Sequence, residues 1–394
     1  MPIRGVVLDV SKTLLSPRGE AVSGLGGLWS YCTDNGLRII VASNQQTEVK
    51  RLRALGYEPD FVALPSNIGK RKPSGDFVTI PAERLGVGRN ELVYLGDDDM
   101  TDAVCASHAR VPYLRAAWAE PDGQYGIPLA SLHDVVRYLR VFGTKQHHWF
   151  WAVDGCDSEG RTVTCRAMVD CRTIDPAQER VKSFARSVLK DGTTAYRPFF
   201  FNHLLVSLYF SGLADRFDLW TTYPSHNVGS TGQTVLAEFV GPVSQLFREK
   251  HYPLLIRHTQ APSSKQTRFA EGRARFQTQV QTVMLNREHE GKISGRSVVI
   301  LDDFTTDGFA FEWARNLFLA AGASEVLCIA VGKFPGVYRA RALVPGKTFD
   351  PFQPVSLGDD DFQTVLLPTN RDEAANEELQ VSLDLRDAIL RGTE

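Results

Sequence analysis

The sequence predicts an α/β protein built as two Rossmann-like three-layer units with a C-terminal extension, and three observations predict it. Short apolar runs recur, among them VVLDV (6–10), LRIIVAS (37–43), ELVYLG (91–96) and SVVILDD (297–303). Each is continuous enough for a strand buried on both faces. Helix-period segments separate the strands within each unit, which is the pattern of a parallel sheet covered on both sides. Polar groups then collect where the strands end, the edge at which open α/β sheets bind ligands.

Composition bounds what such a chain does. It has 394 residues, enough for two or three domains with ample core. A net charge of −2 and a pI near 6.5 give no electrostatic case for nucleic acid as the main partner. The start MPIRGVVLDV lacks the apolar segment of a signal peptide, and no run approaches a membrane span. Six cysteines show neither a CxxC pair nor a zinc-like histidine spacing, so the expectation is reduced, mostly buried thiols in a cytoplasmic protein.

The first unit is expected over residues 1–143. Its first strand ends in Asp9; GLGGLWSYCTDNG (24–36) is a helix closed by Gly36. The next strand ends at Ser43 and Asn44, and a helix follows from Gln46. Another strand ends in GDDDMTD (96–102), and ASLHDVVRYLRVFG (130–143) is an amphipathic helix closing the unit. A carboxylate such as Asp9 can attack phosphorus once a divalent ion and a lysine neutralise the phosphoryl oxygens. Asp9 and Asp97, with Asp98 or Asp102 in support, supply the hard oxygen ligands that Mg²⁺ prefers.

DVSKTL (9–14), Ser43, RKPSGDF (71–77) and GDDDMTD stand in the order of four motifs, and over residues 1–135 the chain resembles the haloacid dehalogenase-like (HAD) phosphatases. The resemblance implies Asp9 as nucleophile, Ser43 as the second-motif hydroxyl, Lys72 as the third-motif lysine, and Mg²⁺ on Asp9 with the acidic fourth motif. One position departs. Ser11 stands where the family carries its general acid and base, and losing such catalysis lowers rates roughly 10²–10⁴-fold. Anhydrides and acyl phosphates, whose leaving groups need no proton, suffer least. The short spacing from Asp9 to Ser43 leaves no room for a large cap domain.

TKQHH (144–148) forms a polar joint, and its two histidines are expected to lie at the surface. The second unit is expected over residues 149–340. A hairpin turns at CDSEG (156–160). DPAQERVKSFARSVLKDG (175–192) is a helix with Asp175 as N-cap, Pro176 in its first turn and Gly192 as stop. PFFFNHLLVSLYFSGLA (198–214) is a second, very apolar helix. A strand over 217–221 leads into Tyr223-Pro224-Ser225-His226, a turn whose amides are candidates to bind pyrophosphate. The helix over 230–250 follows, then a basic segment with Arg257, Lys265, Arg268, Arg273 and Arg275, expected as a mobile loop.

SVVILDDFTTDG (297–308) comes next and carries most of the chemistry of this unit. Amides and hydroxyls at a helix start suit a phosphate monoester, and paired carboxylates suit a vicinal diol or Mg²⁺. The stretch resembles the phosphoribosyl-diphosphate (PRPP) signature of type I phosphoribosyltransferases, and residues 181–333 resemble their ComF-like branch. The resemblance implies Asp302 and Asp303 as ribose-diol ligands, Thr305, Thr306 and Gly308 as the 5-phosphate loop, and Tyr223 with Ser225 at the pyrophosphate loop. Asp307 and Ala310 depart from the usual hydroxyl residues. A carboxylate at position 307 repels phosphate unless it turns away.

The extension, 341–394, is rich in proline and glycine before an edge strand in GDDDFQTVLLP (358–368). RDEAANEELQVSLDLRDAILR (371–391) is an acidic amphipathic helix available to dock on either unit or on a second copy of the chain. Together these readings predict a bifunctional enzyme of nucleotide or phosphoribosyl metabolism, coupling Mg²⁺-dependent phosphoribosyl transfer to hydrolysis of a small phosphate ester. The alternative is a regulatory protein that senses PRPP or a nucleotide without transfer.

Overall fold

The computed structural model describes residues 3–123, 125–172, 175–213, 216–232, 235–240, 250–262 and 272–391. The first half runs β1 (Gly5–Leu8), α1 (Leu25–Asp34), β2 (Arg38–Ala42), α2 (Gln46–Ala54), β3 (Phe61–Ala63), α3 (Pro65–Ile68) and α4 (Asp76–Leu85). It continues with β4 (Leu92–Gly96), α5 (Val104–Ala109), β5 (Tyr113–Ala116), β6 (Ile127–Leu129) and α6 (Leu132–Phe142). Its six strands form a wholly parallel sheet in the order β3-β2-β1-β4-β5-β6. Val7 lies at the centre, in register with Ile40 on one side and Tyr94 on the other. The chain builds outward from β1 through β3, then returns to start β4. The crevice between β1 and β4 is therefore a switch point, and Asp9 and Asp97 stand at its carboxyl edge.

The second half begins with the hairpin β7 (Trp151–Cys156) and β8 (Thr162–Asp170), followed by α7 (Pro176–Lys190), α8 (Arg197–Phe210), β9 (Leu219–Thr222), β10 (Lys250–His251) and β11 (Leu255–Arg257). Then come α9 (Gly272–Val280), β12 (Val283–Leu285), β13 (Ser297–Thr305), α10 (Phe309–Ala320), β14 (Glu325–Lys333), β15 (Arg339–Leu343), β16 (Phe362–Leu366), β17 (Asn370–Arg371) and α11 (Glu373–Arg391). Seven strands form one sheet in the order β10-β9-β13-β14-β8-β7-β17, parallel from β10 to β8 and antiparallel at the β7 and β17 edge. Its strand order reverses between β9 and β13, so Tyr223 and the Asp302–Asp303 pair share the second switch point.

Asp175 caps α7 as its sequence predicts, accepting from the amides of Ala177 (2.8 Å) and Gln178 (2.9 Å). Two other expectations are corrected. The strand carrying the acidic pair does not end at that pair: β13 pairs with β14 through Thr305, opposite Lys333, because Phe304 and Thr305 continue the ladder. The extension packs onto the second half. β17 adds to the edge of the second sheet beside β7, and α11 buries Ala375, Leu379 and Leu383. The joint histidines are not both surface groups. His148 is buried, while His147 pairs with Asp372 at 2.7 Å.

One apolar cluster runs from the first sheet into one face of the second, taking in Val7, Tyr94, Phe142, Leu204, Trp220 and Val299. At the joint, Phe142 of α6 packs against Phe199 (ring centroids 5.9 Å apart) and edge-on to His203 (5.0 Å) of α8. From α11, Ser382 donates to the carbonyl of Val141 at 3.2 Å. Burying a phenylalanine of this kind contributes about 1.5–3 kcal/mol, so the halves meet through core rather than through a linker.

Candidate functional site

In the first half, the site is assembled by three strand ends and one loop. Asp9 follows β1, and its backbone amide is tied across the sheet to the carbonyl of Leu95 (2.8 Å). Lys72 comes in from the loop before α4, its amide held by the Oδ1 of Asn44 (2.9 Å) at the end of β2. The Lys72 ammonium donates to Asp9 and to Asp102 (2.7 Å), and all three side chains are buried. Tyr94 donates its hydroxyl to the same Asp102 oxygen at 2.9 Å, and Thr13 donates to Asp97 at 3.1 Å.

Asp102 reaches this position through a wide π-type turn over Asp99–Ala103, in which the amide of Ala103 reaches back five residues to the carbonyl of Asp98 (3.2 Å). The turn folds Asp102 against the end of β4. A β-carbon on Gly96 would lie 2.6 Å from the Asp102 side chain, so only glycine admits that approach. The amides of Asp97 and Asp98 both donate to Asp102 at 3.3 Å.

Asp9, Asp97 and Asp102 bring carboxylate oxygens within 4.8 Å of one another, the one group among the described residues with the donor set of a metal site. Of the two alternatives for the supporting ligand, Asp102 joins the group and Asp98 lies outside it. Its Oδ1 accepts from the amides of Met100 and Thr101 (2.8 Å each) and caps the turn, a task its position at the helix start imposes. Ser11 is half-buried two residues beyond Asp9, and Ser43 shares its hydroxyl with the Gln45 backbone (3.0 Å from its amide) and Glu48 (3.4 Å).

Three buried carboxylates meet one ammonium here, and the titration behaviour reflects the imbalance. Burial, then repulsion from Asp102, pushes Asp9 up to about 8 despite Lys72. Burial and Asp102 likewise push Asp97 up to about 6. For Lys72, burial works against the charge, yet Asp9 and Asp102 hold it above the ordinary lysine range. The surplus negative charge and all-oxygen donor set fit a hard divalent cation such as Mg²⁺. Gly96, Thr13, Tyr94 and Asn44 are parts of this site that the motifs alone do not single out; tertiary approach, not local pattern, selects them.

The second switch point is arranged differently from its sequence expectation. Asp302 and Asp303 are both buried, but Asp303 is ion-paired with Lys190 from the end of α7. Asp302 accepts from the amide of Asp303 at 2.8 Å; burial, then Asp303, pushes it up to about 7. Thr305 closes the strand rather than opening a loop, and the Thr306 carbonyl accepts from Lys333 at 2.7 Å. Asp307 does turn away, toward Arg275 at 2.8 Å. Gly308 starts α10 at φ 78°, and a β-carbon there would lie 2.3 Å from Tyr338.

The turn after β9 has two of its amides already engaged. The Tyr223 amide is spent on the Leu301 carbonyl (2.9 Å) and the Ser225 amide on Ser230 Oγ (3.0 Å). Tyr223 is buried and donates to Gln279 at 2.9 Å. Arg257 is no loop residue: it is buried on β11, donating to the Ser225 carbonyl (2.5 Å) and to Thr282. Lys265, Arg268 and the side chain of Arg273 lie outside the described residues.

No protein-family model matches the chain, and no curated protein matches it. Among solved structures, it is similar to a HAD-superfamily hydrolase, subfamily IA, variant 1, of Geobacter sulfurreducens. That match has 14% identity and a TM-score of 0.27 and covers 33% of this chain and 93% of that one. A HAD-superfamily hydrolase of Ehrlichia chaffeensis matches at 12% identity over 35% and 97%, with a TM-score of 0.30. A HAD phosphatase of Thermococcus onnurineus matches at 17% identity over 32% and 60%, again with a TM-score of 0.30. These are likenesses of fold over about a third of the chain. Among the described residues, no helix is long and apolar enough to cross a membrane.

Proposed function

We propose that the first half is a Mg²⁺-dependent phosphohydrolase in which Asp9 is the nucleophile. The observation that carries this reading is the buried Lys72 ammonium bridging Asp9 and Asp102 beside Asp97. Asp9, Asp97 and Asp102 would hold the ion, which when bound neutralises phosphoryl oxygens. An Asp9 oxygen forms a bond to phosphorus as the bond to the leaving oxygen breaks, and water then releases orthophosphate from the aspartyl phosphate. Lys72 holds Asp9 in place and offsets charge on the group in transit. Thr13 and Tyr94 fix Asp97 and Asp102.

Ser11 sets the substrate class. A serine hydroxyl does not protonate an alkoxide at neutral pH, so acyl phosphates and other anhydrides are preferred over alkyl esters. The test compares acetyl phosphate with glycerol 3-phosphate. Ser11→Asp is expected to raise kcat for the alkyl ester by about 10²-fold and to change the acyl phosphate little. Equal rates for both substrates in the unmodified enzyme would refute this assignment of Ser11.

A second reading concerns the other half. Two adjacent buried carboxylates at a switch point, with Asp307 neutralised by Arg275, support a phosphoribosyl ligand such as PRPP. Lys190, on an exposed stem, would have to exchange its carboxylate for ligand. Pyrophosphate release from PRPP and Mg²⁺, offered a panel of nucleobases and followed by phosphorus NMR, should vanish in Asp302→Asn/Asp303→Asn. PRPP binding without turnover would favour a sensor, and no binding would remove this reading while leaving the hydrolase intact.

A further inference from the structure

A wide cleft lies at neither carboxylate site. It has a volume of about 870 Å³ and opens between the amino ends of the two sheets. Arg110, just before β5, reaches it from the first half. Lys250 at the start of β10, and Lys292 and Arg296 before β13, reach it from the second. Against these four cations the lining offers one carboxylate, Asp218, which stands 3.8 Å from Arg296. Such a concentration of positive charge runs against a chain whose net charge is −2.

We propose that this cleft binds a small molecule carrying two or more phosphoryl groups. Its volume is that of a nucleotide-sized pocket. Cations arriving from both halves suit anionic groups spaced along one ligand rather than a single ion, and guanidinium and ammonium groups are the usual partners of phosphate.

The cleft is also mechanically joined to the hydrolase site. His108, on its wall, bonds through Nδ1 to the carbonyl of Pro73 at 2.8 Å, and because a carbonyl only accepts, Nδ1 carries the proton. Pro73 directly follows Lys72. The same segment is clamped to α5: Cys105 Sγ donates to the Ser74 carbonyl (3.2 Å), and a β-carbon on Gly75 would sit 2.9 Å from the amide of Ala109. A phosphoryl group held by Arg110 and His108 therefore stiffens the loop that presents Lys72.

Calorimetric titration of the full chain with sodium pyrophosphate in Mg²⁺-free buffer tests this. Binding should weaken at least ~10-fold in Lys292→Ala/Arg296→Ala, two exposed positions whose change leaves the core alone, and orthophosphate should bind at least ~10-fold less well. Asp9→Asn and Asp302→Asn/Asp303→Asn should bind pyrophosphate as the parent does. Hydrogen exchange over residues 70–76 should slow when pyrophosphate binds. Absence of binding, loss of binding in either carboxylate variant, or orthophosphate binding equally well would overturn the site. Pyrophosphate binding with unchanged exchange at 70–76 would overturn the coupling.

Discussion

Asp9→Asn is expected to lower Mg²⁺-dependent hydrolysis of acetyl phosphate by at least about 10⁴-fold while leaving the fold intact. The amide keeps the shape of the carboxylate and an oxygen to accept from Lys72, but it is no nucleophile. Its effect on stability should run the other way. Asp9 is held up at about 8, so the folded chain binds a proton that the unfolded chain, titrating in the ordinary carboxylate range, gives up. Folded and unfolded states then differ most between about pH 4 and 8. Across that window the metal-free parent loses stability as pH rises, with the full loss reached above 8. Asn at this position carries no such charge. In metal-free buffer at pH 8 the variant should therefore melt no lower than the parent, whereas added Mg²⁺ should raise the parent's Tm far more than the variant's. Undiminished phosphate release by the variant would place the nucleophile elsewhere. A collapse in Tm would mean that the carboxylate is structural.

How much of this was legible in the sequence depended on whether a feature was local. The strands ending at Asp9, Ser43 and Asp97 and the cap at Asp175 are written in short runs, and the structure places them as read. The choice among the acidic residues after β4 was not local. Asp98 and Asp102 look equivalent in GDDDMTD, yet a π-type turn gives one the cap and the other the cluster, and only Gly96 leaves room for it. The second site was less legible for a related reason. Its amides and carboxylates are present in the pattern, but their partners come from distant segments: Lys190 for Asp303, Ser230 for the Ser225 amide, Arg275 for Asp307. Spacing in one segment cannot report a group that another segment has already engaged.

Such engagement is most complete where α10 meets the rest of the second half, and there the largest loss of stability is expected. Glu312 and Arg315 project from α10 with no exposed surface. Arg315 donates to Glu312 (2.8 Å) and to Asp157 from the β7–β8 turn (2.9 Å). Glu312 also accepts from Tyr338 and from the amide of Arg341 (2.6 Å). Burial opposes the charge on Asp157, but Arg315 and Arg161 hold it below the ordinary carboxylate range. Arg315→Met removes the cation that pairs buried Glu312 and leaves Asp157 with Arg161 alone, which should cost about 3–5 kcal/mol in urea unfolding at pH 7.5. Because these carboxylates can take up protons, the difference from the parent should shrink toward pH 5, where the parent still keeps the stability that a depressed Asp157 contributes. Adding Glu312→Gln and Asp157→Asn should recover part of the loss at pH 7.5 without restoring any cation. A loss of under about 1 kcal/mol, or one that does not change with pH, would show that water or another cation already reaches this cluster. The same network fixes α10 against the β7–β8 turn and β15, all within the second half, so the variant should leave hydrolysis at Asp9 unchanged under folding conditions.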